Sequence, residues 1–391
     1  MSKSTEKALL PAGLTDSLHP DASFEADIRE RLVSAFVGRG FDRVAPPLVE
    51  FEDNLLAGTG TAMAGQTFRL MDPVSQRMMG LRADITPQVA RIATTRLSHV
   101  ERPLRLCYAG EVLRIKGSQL RPERQFTQAG AELIGTASPE ADAEMVLTAA
   151  ETLSGLGIQD IKVNLCQPTL IPYVMDALGI QGDDAVQFRA AFDSKDAAEV
   201  KTLSKDLGPD ARTLLSELLA ASGPVEIVAP KIKALPLSGD AAAARDALLE
   251  TVALIEAGDP ALDLTLDVVE NRGFEYHSGV TFTLFAPGVR GELGSGGRYQ
   301  AGLNDSENSG EAATGFTLFL DSILRALEPG EAMPKVYLPA KTSRADSQVV
   351  RDQGYRTLQG HTDDGDINVA ATRLGCSHIW LGGDIKPLGT V

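Results

Sequence analysis

Apolar residues recur at helical spacing near the beginning of the chain. Phe24, Ile28, Leu32 and Phe36 follow one another every four residues, and two glycines come directly afterwards. Because a repeat of three or four residues places side chains on one helix face, and glycine ends helices, the pattern predicts an amphipathic helix over residues 22–38.

Two later stretches have the composition of β-strands, at residues 104–115 and 124–135, joined by the polar loop KGSQLRPE. A shorter pair, QTFRLM and RMMGL, flanks the turn-like sequence DPVSQ and predicts a hairpin. The segment TPQVARIATTRL between these pairs predicts a helix. Strands that follow each other closely in this way favour antiparallel pairing.

One strand carries polar side chains at alternate positions. Side chains in a strand alternate between its two faces, so Arg124, Phe126, Gln128, Gly130 and Glu132 are expected on the same side. Glycine has no side chain, and we therefore expect an open floor between the glutamine and the glutamate where a small molecule can lie.

Three further polar residues are expected near this face. Arg114 projects onto it if the two strands pair antiparallel, and Asp84 and Thr86 share a face one segment earlier. Simpler alternatives are a cross-strand ion pair of Arg114 with Glu132, and a helix cap formed by Asp84 and Thr86. Because buried charges are costly without partners, convergence of these groups on one concave face favours a zwitterionic ligand.

The remaining pattern indicates how the chain is divided. Short helices rich in alanine and leucine predict a helical insertion at about residues 169–258, and strand-like stretches resume after it. The glycine-rich segment GVRGELGSGGRY lacks the lysine of a phosphate loop, so a hairpin turn or pocket floor is the better interpretation, with Arg298 as its notable charge. We expect one domain over residues 1–330 and a small, truncated α/β domain over residues 331–391.

Composition narrows the function further. The 37 basic and 53 acidic residues give a net charge of −16, which disfavours nucleic acid as a partner. The three cysteines and five histidines show no metal-binding spacing, so neither a metal nor a cofactor is expected. The sequence has no apolar run of the length of a signal peptide or membrane span, which predicts a cytoplasmic protein.

Several ordered motifs resemble the class II catalytic domain of histidyl-tRNA synthetase. They are LPAGLTD, GFDRVAPPLVEF, LRADIT, LRIKGSQLRPERQFTQAGAELIG, NRGFEYHSGVTF and GGRYQAG. Together they cover residues 10–327, and their order is more specific than any single motif. The resemblance implies an α+β fold in which helices flank an antiparallel sheet, dimerisation through the first motif, a helical insertion and a C-terminal domain.

The resemblance also implies how histidine would be bound. In that family the LRPEGT segment, the second motif and the RGLDYY segment hold the amino acid. The matching positions here are Asp84, Thr86, Arg114, Gln128, Glu132, Arg272 and Tyr276, and His277 stands where a second tyrosine is usual. The carboxylates of Asp84 and Glu132 suit an α-ammonium group and an imidazole N–H, and the guanidinium of Arg114 or Arg272 suits an α-carboxylate.

The residues that would hold ATP depart from the family pattern. The third motif places Phe319 at the position of a glycine and Ser322 at that of an arginine. In the second motif Lys116 replaces an acidic residue, and RPER replaces the GRYR loop. Adenylation needs fixed positive charge around the phosphates, so these changes predict that ATP activation has been lost.

A chain that has lost the residues for ATP chemistry and kept those for amino-acid binding resembles the paralogues that serve as regulatory subunits of ATP phosphoribosyltransferase. That resemblance implies a chain without catalysis of its own, which self-associates as a dimer and joins a short-form catalytic subunit in a hetero-oligomeric glycosyltransferase. Histidine would be the feedback effector of this first step of histidine biosynthesis, bound in the pocket above or at the subunit interface. The alternatives are an active or divergent histidyl-tRNA synthetase and an amino-acid ligase with another acceptor.

Overall fold

The chain divides into two compact units, Met1–Glu328 and Pro329–Val391. The computed structural model describes residues 9–118, 121–270, 276–302, 310–330, 333–361 and 365–389. The boundary between the units lies two residues before the division expected from the sequence. Each unit buries its own apolar residues.

Helices and strands alternate irregularly along the first unit. Its helices are α1 (Asp21–Gly38), α2 (Glu52–Leu55), α3 (Thr86–Thr95), α4 (Pro139–Leu156), α5 (Leu170–Ala177), α6 (Gly182–Asp193), α7 (Ala197–Leu203), α8 (Pro209–Leu219), α9 (Val225–Ala234), α10 (Gly239–Gly258) and α11 (Leu320–Ala326). Its strands are β1 (Asp42–Arg43), β2 (Val49–Phe51), β3 (Arg69–Met71), β4 (Met78–Leu81), β5 (Leu104–Leu113), β6 (Gln125–Ile134), β7 (Lys162–Cys166), β8 (Ser222–Pro224), β9 (Asp263–Asp267), β10 (His277–Phe285), β11 (Gly294–Ala301) and β12 (Glu311–Phe319). A 3₁₀ helix spans Gly58–Met63.

A large sheet forms the centre of this unit, with strand order β1-β5-β6-β12-β11-β10-β7-β9-β8 among the described residues. Most neighbouring strands pair antiparallel, as the sequence predicted, whereas β1–β5 and β7–β9 are parallel. Parallel neighbours need a long crossover connection, and the expected helical insertion supplies it between β7 and β9. The insertion also contributes the short strand β8, which the helical pattern did not predict.

The sheet separates two apolar layers. On one face α1, α4 and α10 bury a core that includes Phe36, whose ring meets that of Phe316 edge to face at 5.5 Å. On the other face α3 packs against β5, β6 and β11. Along β6, Ala129, Ala131 and Leu133 face the first layer, while the alternate residues face α3. The polar row of β6 therefore lies on the α3 side, as the alternation predicted.

The expected hairpin is present as β3 and β4, which form a three-stranded sheet with β2 in the order β2-β4-β3. Helix α1 occupies Asp21–Gly38, so the periodicity of its apolar residues placed it correctly. Among the described residues, none of the helices combines the length and apolar character needed to span a bilayer.

The second unit is a small mixed α/β fold. Its elements are β13 (Lys335–Leu338), α12 (Arg344–Asp352), β14 (Arg356–Gln359), α13 (Ile367–Arg373), β15 (His378–Leu381) and β16 (Asp384–Pro387). The strands lie in the order β14-β13-β15-β16, with β13 parallel to both neighbours. The strand–helix pattern expected here agrees with these elements.

Truncating the ring that joins α1 to the sheet should destabilise the fold. Phe36 is completely buried, and Phe36→Ala removes its contact with Phe316, so we expect a loss of about 3–5 kcal/mol in the free energy of unfolding. Its neighbour Val37 is 50% exposed, and Val37→Ala is expected to change that energy by less than about 0.5 kcal/mol. Urea unfolding of both variants measures the difference, and equal effects would contradict this packing.

Candidate functional site

A small cavity lies on the α3 face of the large sheet, beneath the start of α3. Its volume is about 10 Å³, which is room for about one water molecule. The polar side chains that line it include Thr86 at the first position of α3, Glu132 on β6, Tyr299 on β11 and Thr317 on β12. Such a convergence of polar groups in a concave space is typical of a small-molecule site.

Glu132 is one of the residues that line the cavity, and only 1% of its surface is exposed. The Thr86 hydroxyl donates to its Oε1 at 3.0 Å, and the Tyr299 hydroxyl donates to its Oε2 at 3.0 Å. Gly315 lies opposite Glu132 on β12, and a Cβ atom at that glycine would overlap with Glu132 Oε2. The carboxyl group therefore depends on a glycine for its space and on two hydroxyls for its orientation.

Burial dominates the electrostatics of Glu132. It raises the pKa of this carboxyl to about 8, and the nearby charge of Asp84 raises it further, whereas the hydrogen bonds from Tyr299 and Thr86 oppose the shift. With this pKa the group holds a proton at neutral pH. A ligand that brings a positive charge or an N–H donor stabilises the ionised carboxylate instead.

Gln128 carries a polar group that lacks a partner. Its side chain is completely buried, and its Oε1 accepts a hydrogen bond from the Ile85 N–H at 3.1 Å. The Nε2 amide has no hydrogen-bond partner. An unsatisfied buried donor costs about 1–3 kcal/mol, and Gln128 is not one of the residues that line the cavity around Glu132.

Asp84 and Thr86 lie at the start of helix α3 and contact each other there. Asp84 Oδ1 accepts from the Thr86 N–H at 3.0 Å, which satisfies a backbone donor at the start of the helix. The Thr86 hydroxyl points away from the helix to Glu132. The structure therefore joins the LRADIT segment to the polar row of β6.

Arg114 lies on the α3 face of the sheet, as expected for antiparallel pairing, with its guanidinium 5.0 Å from the centre of the Phe126 ring. The register of β5 and β6 places Leu106 opposite Glu132, and the Arg114 N–H donates to the Arg124 carbonyl at the far end of the pair. A cross-strand ion pair of Arg114 with Glu132 is therefore wrong. The Arg114 guanidinium instead donates to the Ala83 carbonyl at 3.3 Å. Burial lowers the pKa of Arg114, and the nearby charge of Asp84 opposes that shift.

The interpretation of Gly130 as an open floor is also wrong. A Cβ atom at Gly130 would overlap with the Phe316 carbonyl oxygen and with the Tyr108 hydroxyl. Tyr108 lies opposite Gly130 on β5 and is completely buried. The space above the glycine is thus occupied by a tyrosine of the neighbouring strand and is closed to a ligand.

Two tyrosines complete the site and were not predicted. Tyr108 and Tyr299 are both buried and both approach Glu132, and burial raises the pKa of each hydroxyl, so both remain protonated donors. Tyr299 belongs to the GGRY motif, but only Arg298 of that motif was singled out from the sequence. Arg298 lies on the opposite face, where it binds Asp142 at 2.9 Å and backbone carbonyls before α4.

The RGLDYY-like segment is only partly described. Arg272 lies outside the described residues. The ring of Tyr276 lies 4.0 Å from that of His277 and meets the ring of Tyr299 edge to face at 6.3 Å. Tyr276 and His277 also line the cavity, which places the end of this segment beside Glu132.

The positions that the family resemblance assigned to ATP binding are packed closely with other side chains. Phe319 is buried edge to face against Phe126, and the guanidinium of Arg121 lies 3.8 Å from the centre of its ring. Arg121 also pairs with Glu292 at 3.1 Å and with Asp321 at 3.2 Å. Two carboxylates thus neutralise this arginine. Ser322 is buried beside it, so no arginine extends from that position of α11.

Glu132→Gln should change how stability depends on pH. The folded pKa of about 8 exceeds the ordinary value of 4.5, so the folded state keeps a proton that the unfolded state loses between these values. Wild-type stability should therefore fall through this window, by at most about 1.4 kcal/mol per pH unit. The glutamine variant has no such titrating proton, so its free energy of unfolding should increase relative to that of the wild type as pH rises.

Urea unfolding at several pH values between about 5 and 8 measures this difference. Glu217→Gln is a suitable control because that residue is exposed on α8. A constant difference between Glu132→Gln and wild type across the window would contradict the proposed protonation of Glu132.

Comparison with known proteins identifies the fold and the family. A family model described as histidyl-tRNA synthetase matches residues 13–323. A crystal structure described as an ATP phosphoribosyltransferase regulatory subunit/histidyl-tRNA synthetase from Bacillus halodurans C is 22% identical, covers 93% of this chain and 96% of its own, and has a TM-score of 0.80. Histidyl-tRNA synthetase from Nostoc sp. PCC 7120 is 18% identical, covers 96% of this chain and 91% of its own, and has a TM-score of 0.77. Both structures confirm the predicted class II synthetase-like fold.

Curated relatives are considerably closer in sequence. The ATP phosphoribosyltransferase regulatory subunit of Paramagnetospirillum magneticum is 52% identical over 378 residues, which cover 97% of each chain. The protein of the same name from Rhodospirillum centenum is 48% identical over 386 residues, covering 98% of this chain and 97% of its own. The chain therefore belongs to the family of ATP phosphoribosyltransferase regulatory subunits, which share the fold of histidyl-tRNA synthetase.

Proposed function

We propose that this chain is a non-catalytic subunit that binds histidine and thereby regulates ATP phosphoribosyltransferase, the enzyme of the first step of histidine biosynthesis. The observation that carries the proposal is the buried carboxyl of Glu132, which lines the cavity between the hydroxyls of Thr86 and Tyr299. Once a ligand ionises this carboxyl, it accepts a hydrogen bond from an N–H group. Histidine supplies an N–H donor at its imidazole and acceptors at its carboxylate.

The surrounding residues suit the remaining groups of a zwitterion. Asp84 provides a carboxylate for the α-ammonium group, and Arg114 and Arg272 are the proposed partners of the α-carboxylate. The aromatic ring of Tyr276 borders the cavity and provides an apolar wall for the imidazole. At about 10 Å³ the cavity has room for about one water molecule, so histidine enters only when the residues that border the cavity move apart.

Two features support the absence of catalysis. Phe319 and the neutralised Arg121 occupy the region where the phosphates of ATP would need free positive charge. The second unit carries seven basic residues, Lys335, Lys341, Arg344, Arg351, Arg356, Arg373 and Lys386. It carries seven acidic residues, Glu331, Asp346, Asp352, Asp363, Asp364, Asp366 and Asp384, so its net charge is 7 − 7 = 0. A surface that binds an RNA stem is usually strongly basic.

Regulation requires histidine to bind two states of an assembly with different affinity. The partner we propose is the short-form catalytic subunit, in a cytoplasmic hetero-oligomer to which this chain contributes as a dimer. Histidine in the cavity would favour the inhibited arrangement of that assembly. Histidine bound at the interface between the two subunits is the alternative location.

Glu132→Ala should relieve histidine inhibition of the reconstituted complex. The variant removes the proposed imidazole partner and leaves Thr86 and Tyr299 without their common acceptor, so we expect the half-inhibitory histidine concentration to rise by about tenfold to 100-fold. The measurement is the rate of phosphoribosyl transfer to ATP at increasing histidine.

Glu217→Ala on the exposed face of α8 provides the matched control and should leave inhibition unchanged. Copurification with the catalytic subunit verifies that each variant still assembles. Unchanged inhibition in an assembled Glu132→Ala complex would exclude the cavity and favour the subunit interface.

The chain should also fail to activate histidine. With Phe319 and Arg121 packed together, we expect no saturable ATP binding by calorimetry up to about 1 mM and no histidine-dependent exchange of pyrophosphate into ATP. A functional histidyl-tRNA synthetase, assayed in parallel, is the positive control. Exchange above background would support the synthetase or ligase alternative instead.

A further inference from the structure

A larger cavity lies on the other face of the large sheet, beside the first turns of α4, α5 and α10. Its volume is about 230 Å³, against about 10 Å³ beside Glu132. Neighbouring residues of β11 border the two spaces, because Tyr299 reaches Glu132 and Arg298 lines the larger cavity. Sites for drug-sized ligands measure about 300–1,000 Å³, so this cavity suits a smaller molecule.

One wall of this cavity is an irregular part of β10. The pairing of β10 with β11 shifts its register between His277 and Thr281, and residues 278–280 of this irregular part line the cavity. A Cβ atom at Gly279 would overlap with the side chain of Arg298. The glycine therefore leaves room for Arg298 to cross the strand. Irregular strand pairing of this kind is common beside functional sites.

The charge of Arg298 is already balanced inside the protein. Its Nε donates to Asp142 Oδ2 at 3.0 Å, and its two terminal nitrogens donate to the carbonyls of Thr136 and Ser138 at 3.0 and 2.7 Å. The third charged residue among the described residues of the wall is Asp240, which is exposed in the first turn of α10. The wall therefore favours a cation over an anion.

Gln167 places a polar atom without a partner in the same wall. The residue directly follows β7, lines the cavity and is 3% exposed. Its Nε2 donates to Thr169 Oγ1 at 3.1 Å, whereas its Oε1 accepts no hydrogen bond from the described residues. A buried acceptor without a donor is costly and rare, so a ligand N–H group is the partner that this oxygen calls for.

The rest of the wall suits a short apolar chain. Ala243 and Ala247 lie one turn apart on α10, and the ring of Tyr173 on α5 lies at the exposed side of the cavity. We propose that the cavity binds a small primary ammonium compound, whose N–H groups donate to Gln167 Oε1 and whose charge is attracted by Asp240. The apolar chain of this ligand packs against the alanines. The site is separate from the proposed histidine pocket and does not rest on the proposed function.

The test is a titration of the full chain with n-butylammonium chloride at pH 7, followed by the NMR signals of the ligand. At this pH the ammonium group and the carboxylate of Asp240 are both charged. We expect saturable binding with a Kd of about 1 mM, as for a ligand of few atoms. The neutral 1-butanol and the anion butyrate have similar chains and should bind at least about tenfold more weakly.

Two substitutions remove the polar partners of the ligand separately. Asp240→Asn removes the attracting charge and Gln167→Leu removes the acceptor, and each should weaken binding about threefold to tenfold. Asp210→Asn is the matched control, because Asp210 is also the exposed second residue of a helix, α8, and does not line the cavity. Glu132→Gln should also retain binding, since Glu132 lines the other cavity.

Asp240→Lys keeps the test decisive if Gln167→Leu fails to fold, because it reverses the charge at an exposed position and should abolish binding. The proposal is overturned by an absence of saturable binding, by equal affinity for 1-butanol, or by wild-type affinity in a folded variant at Asp240 or Gln167. Loss of binding in Glu132→Gln would assign the ligand to the other cavity and also overturn it. None of these results would change the expectation that histidine regulates the complex.

Discussion

The buried carboxyl group of Glu132 constrains all the elements around it. A carboxyl group deep in a sheet is stable only when it is neutral or well supplied with donors, and here burial keeps it protonated while hydroxyls surround it. Thr86 reaches it from the start of α3, and Tyr299 reaches it from β11. The position of α3 and the register of the central strands are thus tied to one side chain.

The same constraint explains why small residues line this part of the sheet. Gly315 leaves the volume that Glu132 Oε2 occupies, and Gly130 leaves the volume that the Tyr108 hydroxyl occupies. Neither glycine adopts a left-handed backbone, so their importance comes from the close approach of a neighbour and not from conformational freedom. A polar network in a sheet therefore requires glycines beside the side chains that form hydrogen bonds.

How far the sequence could predict this site depended on the range of each interaction. Alternation within β6 placed Gln128 and Glu132 on one face, because the side-chain period of a strand is local. The position of Arg114 needed the register of two strands, and a register in which Leu106 opposes Glu132 excludes the ion pair. Tyr108 was missed because its contact with Thr317 spans three strands, which no local pattern encodes.

Gly315, Thr317 and Phe319 follow one another on the site-facing side of β12, opposite Glu132, Gly130 and the backbone of Gln128. The glycine preserves the space for the carboxyl that would bind imidazole.

Four residues along the strand, the Phe319 ring lies beneath the guanidinium of Arg121, whose charge two carboxylates neutralise. Because the pleat sets these side chains about 7 Å apart at every second residue, substitutions at one end of the row leave the other end intact. If the chain has the function we propose, the loss of ATP binding at the Phe319 end would leave the surroundings of Glu132 intact.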